Sequence, residues 1–211
     1  MANAFELRHD LIVIGASAGG VEALKRIVAK LPEDLRAAIL VVLHLGLKGP
    51  SFLPEILNAV GPLTAVHPLD RETLRYGRIY VAPPDYNLVV EPGMVRLTRG
   101  PNENRHRPAV DPLFQSAAEV YGPLVVACIL TGALDDGTAG AIAVRRHGGT
   151  IIAQDPADAM HAGMPSSVID HVTVDYVLPL SRIAPKLIAL AASGGGTRVA
   201  APFEKGEAAR K

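Results

Sequence analysis

Short apolar runs alternate along this chain with longer stretches in which apolar positions recur every three or four residues. The runs Leu11–Gly15, Ile39–His44, Arg78–Ala82, Val125–Thr131 and Thr150–Gln154, with a weaker Leu63–His67, are rich in β-branched residues and close in polar or glycine positions, so they predict strands. Between them, Val21, Leu24, Ile27, Val28 and Leu31 form a stripe at helical spacing that Pro32 stops. Further helices are predicted over Pro112–Tyr121 with Asp111 as N-cap, over Thr138–His147 ahead of Gly148 and Gly149, and over roughly Ser181–Ala192. Asn87–Val90 and Met94–Thr98 flank Glu91-Pro92-Gly93 and predict a β-hairpin. The strand runs are apolar throughout rather than alternating, which is the pattern of strands covered on both faces. The predicted fold is therefore α/β: a doubly wound, mostly parallel sheet flanked by helices, with an antiparallel β-hairpin insertion. Residues 1–193 read as one domain. Residues 194–211, Gly-rich and then charged without periodicity, read as a disordered tail.

Composition narrows the functional classes. The 211 residues are 49% hydrophobic, and 21 Lys and Arg balance 21 Asp and Glu, so no basic surplus exists to neutralise a nucleic acid backbone. A single cysteine, Cys128, excludes an internal disulfide and any multi-cysteine metal centre. The seven histidines show no paired metal-ligand spacing, so neither a metal nor another cofactor is expected. No apolar run approaches the ~20 residues of a membrane-spanning helix. The start, Met1–Asp10, is too charged for a secretory signal, and a cytoplasmic location is expected.

In parallel sheets, sites form at the carboxyl ends of strands, which reduces the search to a few positions. The first strand runs into Gly15-Ala16-Ser17-Ala18-Gly19-Gly20, a G-x-S-x-G turn that exposes a serine hydroxyl ahead of a helix N-terminus. A dinucleotide loop would need glycine where Ser17 stands, and no Gly-Lys-Ser/Thr occurs for a phosphate loop. The second strand closes on His44, within side-chain reach of a neighbouring strand end and suited to act as general base. A third strand end carries Asp135 and Asp136, a source for the carboxylate that orients an imidazole. Each residue also has a plainer reading: Ser17 as a helix cap, His44 as a backbone-bonded histidine, Asp136 as N-cap of the following helix.

The full set of motifs resembles the catalytic domain of the chemotaxis protein-glutamate methylesterase, or CheB, family. The resemblance spans about Asp10 to Leu190 and rests on Val13–Gly20, Val41–His44, Gly77–Pro84, Arg107–Phe114, Leu130-Thr131-Gly132, Asp136-Gly137-Thr138 and Gly163-Met164-Pro165. It implies Ser17 as nucleophile, His44 as base and Asp136 as the orienting acid, hydrolysing glutamate γ-methyl esters and deamidating glutamines on methyl-accepting chemoreceptors or similar sensory proteins. The backbone N–H groups of Ala18 and Ala133 are then the oxyanion candidates. Arg105 and Arg107 are candidates for attracting an acidic receptor surface, and Met160 and Met164 for walling the site.

Three departures from the family pattern stand out. Members usually carry a receiver domain before the esterase, whereas here the first strand starts at Leu11, so a stand-alone form without phosphorylation in cis is expected. The usual Met-Gly after Leu-Thr-Gly is Ala133-Leu134, which places leucine where glycine would ease an unusual backbone angle. Asn87 stands where the family often has histidine. Two other classes stay open beside the methylesterase: a CheB-like binding module with little or no catalysis, and a hydrolase of another small ester.

Overall fold

The computed structural model describes residues 10–44, 51–99 and 107–192. The sequence-predicted tail, 194–211, and Arg105 lie outside the described residues. The chain runs β1 (Leu11–Ala16), α1 (Gly20–Val28), β2 (Ala38–Leu43), α2 (Leu53–Asn58), β3 (Thr64–Val66), β4 (Arg78–Val81), β5 (Asn87–Glu91), β6 (Met94–Thr98) and α3 (Val110–Tyr121). It continues through β7 (Val125–Ile129), α4 (Thr138–Arg146), β8 (Thr150–Gln154), α5 (Gly163–His171), β9 (Tyr176–Leu178) and α6 (Leu180–Ala192). Seven strands form one parallel sheet in the order β3-β4-β2-β1-β7-β8-β9, and β5 and β6 pair antiparallel as a separate ribbon.

Period-two geometry splits the apolar strands between two cores. Ile12, Ile14, Ile39, Val41, Val126 and Cys128 face one way, into a core shared with α1 and α6. Leu11, Val13, Leu40, Val42, Ala127 and Ile129 face the other way, against α3, α4 and the hairpin. Both layers are needed because every residue of β1, β2 and β7 is buried. The doubly wound sheet and its hairpin agree with the sequence reading.

Four details differ. Helix α2 was not predicted; its six residues, Pro54 among them, are too few to show a helical period. Strand β9 has only three residues, so alternation could not register. Helix α5 was not predicted either; the Gly163-Met164-Pro165 motif forms its first turn, where a proline gives up an N–H that needs no intrahelical partner. Asp111 does not cap α3: the helix starts at Val110 with Ala109 in the extended N-cap position, and Asp111 accepts from Gly140 N–H of α4 at 2.7 Å.

β1 lies at the centre of the order, with β2 on one side and β7 on the other. The chain leaves β1 toward β2 through α1 and reaches β7 through α3, on the opposite face. The carboxyl end of β1 is thus a topological switch point, where diverging connections open a crevice.

Candidate active site

Ser17 follows β1 directly and is half-buried, with its N–H donating to Thr131 O at 3.0 Å. The turn beyond it needs a left-handed residue, which Gly19 supplies at φ 79°. A Cβ at Gly19 would lie 3.0 Å from Met160 Cβ and 3.2 Å from the Thr131 methyl, so that side of the turn is also closely packed. His44 is the first residue after β2, and its N–H bonds Ala16 O at 3.0 Å. Ser17 and His44 line one open cleft together with Gly19, Val21, Glu22 and Leu43.

The His44 side chain is almost fully enclosed, and its Nε2 lies 2.6 Å from Asp136 Oδ2. A carboxylate only accepts, so Nε2 carries the hydrogen of this bond, and Nδ1 becomes the nitrogen that can take up a proton. Asp136 itself is 2% exposed. Its burial is balanced by two further donors: Val110 N–H to Oδ2 at 2.7 Å and Asp111 N–H to Oδ1 at 3.1 Å. These are the first amides of α3, so the carboxylate also faces the positive end of that helix dipole. Asp136 thus caps a helix, but it is α3, remote in sequence, while Gly137 occupies the N-cap position of α4. Asp136 Oδ2 receives both the His44 ring and the Val110 N–H, so one oxygen joins the imidazole to the start of α3.

The loop after β7 is anchored from three sides. Thr131 Oγ1 donates to Ala18 O at 2.9 Å and accepts from His161 N–H at 2.9 Å, tying the Ser17 turn to the segment before α5. Thr131 N–H donates to Gln154 Oε1 at 2.9 Å, and Gln154 Nε2 in turn reaches Asp158 Oδ2 at 3.0 Å. The Leu180 N–H beside Asp158, reinforced by Gln154, holds its carboxyl below the ordinary carboxylate range. Gln154 was missed from the sequence, although it is a polar residue closing a buried strand, the same signal that singled out His44.

The remaining predicted residues divide clearly. Ala18 and Ala133 are both exposed beside the turn, and among the described residues neither N–H donates to a protein acceptor, whereas Gly132 N–H is taken by His161 O at 3.0 Å. Met164 is fully buried: a Cβ on Gly132 would lie 2.1 Å from its sulfur and 2.9 Å from Ser17 Cβ. It therefore backs the loop behind Ser17 rather than presenting its sulfur to the cleft. Met160, 70% exposed, packs over Gly19 at the rim. Arg107 is committed to Asp85 by two bonds, at 2.9 and 2.6 Å. Leu134 adopts φ 65° with its side chain 68% exposed, the left-handed position that the sequence pattern marks as glycine's. Burial pushes the Cys128 thiol far above its ordinary range, so it is no competing nucleophile. Among the described residues no cluster of His, Cys, Asp and Glu has the makings of a metal site, and no helix is long and apolar enough to cross a membrane.

Comparison with known proteins identifies the family of the fold. The family model described as CheB methylesterase matches residues 12–187. A relative from Leptospira interrogans is 37% identical over 185 residues, covering 87% of this chain and 96% of that protein. Protein-glutamate methylesterase/protein-glutamine glutaminase 1 of Paramagnetospirillum magneticum is 40% identical over 188 residues, and there the match spans about half of the longer protein, 49%. The crystal structure of the Thermotoga maritima CheB methylesterase catalytic domain superposes with a TM-score of 0.81 at 39% identity, covering 87% of this chain and 100% of that one. With the fold, the family model and these relatives in agreement, the chain belongs to the CheB methylesterase family.

Proposed function

We propose that this chain is a serine hydrolase that removes methyl groups from glutamate γ-methyl esters, and deamidates glutamines, on chemoreceptor-like proteins in the cytoplasm. The observation that carries the reading is the buried Asp136 carboxylate, bonded to His44 at 2.6 Å and to two α3 amides, beside a cleft that His44 shares with Ser17. A helix cap alone requires no imidazole, and a structural histidine requires no buried carboxylate.

In this mechanism His44 Nδ1 takes the proton of Ser17 as Oγ attacks the ester carbonyl carbon. Asp136 fixes the tautomer and stabilises the imidazolium that forms. The oxyanion is received by the N–H groups of Ala18 and Ala133, where one preorganised donor is typically worth roughly 100- to 1,000-fold in rate. The imidazolium returns its proton to the departing oxygen, releasing methanol; with a glutamine substrate the leaving group is ammonia. Water, deprotonated by His44, then attacks the acyl-enzyme, freeing glutamate and regenerating Ser17. No cofactor takes part in these steps.

A fluorophosphonate probe tests the reading directly. The wild-type protein is expected to be labelled at Ser17 and to release methanol from membranes bearing methylated receptors. The folded Ser17→Ala variant is expected to do neither. Failure of folded wild-type protein to react would favour the binding module, and labelling without methanol release would favour another small ester as substrate.

A further inference from the structure

Helix α3 has no side-chain cap from its own N-terminal residues. Instead, three successive amides at its start are received by side chains from elsewhere. Ala109 N–H donates to Asn87 Oδ1 at 3.1 Å, Val110 N–H to Asp136 Oδ2 at 2.7 Å, and Asp111 N–H to Asp136 Oδ1 at 3.1 Å. Asn87 is the first residue of the β5–β6 ribbon, 3% exposed, and Ala109 is fully buried. The same ribbon grips α3 about two turns further on, where Val90 N–H donates to Ser116 Oγ at 3.0 Å and Ser116 Oγ donates to Pro112 O at 2.7 Å.

We propose that Asn87 is a positioning residue for the esterase, holding Ala109 so that the next two amides of α3 meet Asp136 and keep its carboxylate turned toward His44. The inference rests on the Ser17–His44–Asp136 reading above and adds a residue that touches none of those three. Its logic is geometric. Asp136 can satisfy Val110 and Asp111 only if the chain enters α3 at one angle, and that angle is set where the extended N-cap residue is pinned. Removing the Asn87 acceptor leaves a buried N–H unsatisfied, which the helix relieves by shifting its entry. A displacement on the order of 1 Å at a reacting group costs about 100-fold in rate. The hairpin thereby becomes a strut for the catalytic geometry on the sheet face opposite α1.

Two isosteric variants separate this role from ordinary structural support. Asn87→Leu keeps the side-chain shape and loses the acceptor; Asn87→Asp keeps both. For Asn87→Leu, kcat and the limiting rate of Ser17 labelling by the fluorophosphonate are expected to fall about 10- to 100-fold with KM nearly unchanged. Asn87→Asp is expected to stay within about threefold of wild type. Val90→Ala loosens the same hairpin without touching the acceptor, and should lower Tm while leaving kcat unchanged. Wild-type labelling by folded Asn87→Leu overturns the proposal, as does an equal loss in Val90→Ala. Should Asn87→Leu fail to fold, Asn87→Asp decides: near-wild-type kcat supports the proposal and a loss of about tenfold or more overturns it. Absence of labelling in the wild type would instead sink the esterase reading, and this inference with it.

Discussion

Two strand-to-helix turns meet at the switch point, each with a left-handed glycine at the helix N-cap, and the second adds a left-handed leucine. The β1–α1 turn places glycine where the backbone turns left-handed, Gly19 at φ 79°, and Met160 packs over the space that a side chain would fill. The β7–α4 turn has two left-handed residues: Gly137 at φ 99°, where a Cβ would lie 2.6 Å from Ile129 Cδ1, and Leu134 at φ 65°, 68% exposed. In the first turn the lack of a Cβ is required twice, by the dihedral angle and by packing. In the second, Gly137 is held to glycine in the same two ways, whereas at Leu134 only the dihedral angle asks for it and surrounding solvent leaves room for leucine. Strain of about 1 kcal/mol is tolerable where nothing else depends on that side chain fitting into a core. Tolerance to substitution in this site therefore follows local packing more than nearness to Ser17.

The sharpest way to break the comparison is to remove what both turns serve. Asp136→Asn replaces one acceptor oxygen by an N–H2 group, and no orientation of the amide satisfies His44, Val110 and Asp111 together. Turnover is expected to fall about 1,000- to 10,000-fold through the wrong imidazole tautomer. Stability should fall by about 1–3 kcal/mol, measured by denaturant unfolding, because a buried donor loses its partner. A variant with full stability and low turnover would show that α3 does not lean on this carboxylate.

Gly132→Ala tests close packing where no left-handed angle is involved. Its Cβ would sit 2.1 Å from Met164 Sδ and 2.9 Å from Ser17 Cβ, and Met164 is fully buried. A loss of about 100-fold in kcat is expected as Ser17 is displaced, with a destabilisation of about 1–3 kcal/mol from overpacking. Adding Met164→Ala should recover stability but not turnover, since the contact with Ser17 persists. Recovery of both would place the fault in the sulfur contact alone.

The smallest effect has the opposite sign. Leu134→Gly should raise unfolding stability by up to about 1 kcal/mol, as relief of the left-handed strain outweighs the added freedom of the unfolded chain. A decrease would mean that the exposed leucine makes contacts worth more than its strain, and would end the contrast between the two turns.

What could be read from the residues beforehand follows the same division between local and remote causes. The sheet was legible because β1, β2 and β7 are buried along their whole length, so their composition carries the signal without help from neighbours. Ser17 and His44 were legible because each is the first polar position after such a run. Asp136 was legible as a strand-end carboxylate but assigned to the wrong helix, since the one whose amides it receives begins 26 residues earlier in the chain. No local pattern encodes that partnership. Asn87 showed itself only as a departure from the family's usual histidine; its partner, Ala109, lies 22 residues away and takes part through the backbone alone. Met164 looked like part of the cleft wall because methionine suits such walls, but the helical start at Gly163 turns it inward.

The carboxylate of Asp136 closes the start of α3 with the same oxygens that orient His44. The docking of a helix end and the orientation of an imidazole therefore depend on one side chain. Under the proposed mechanism, a copy in which α3 has not docked would hold an undirected imidazole and an unreactive Ser17. Such an arrangement would work as an interlock, tying the proposed ester cleavage to molecules that have finished folding.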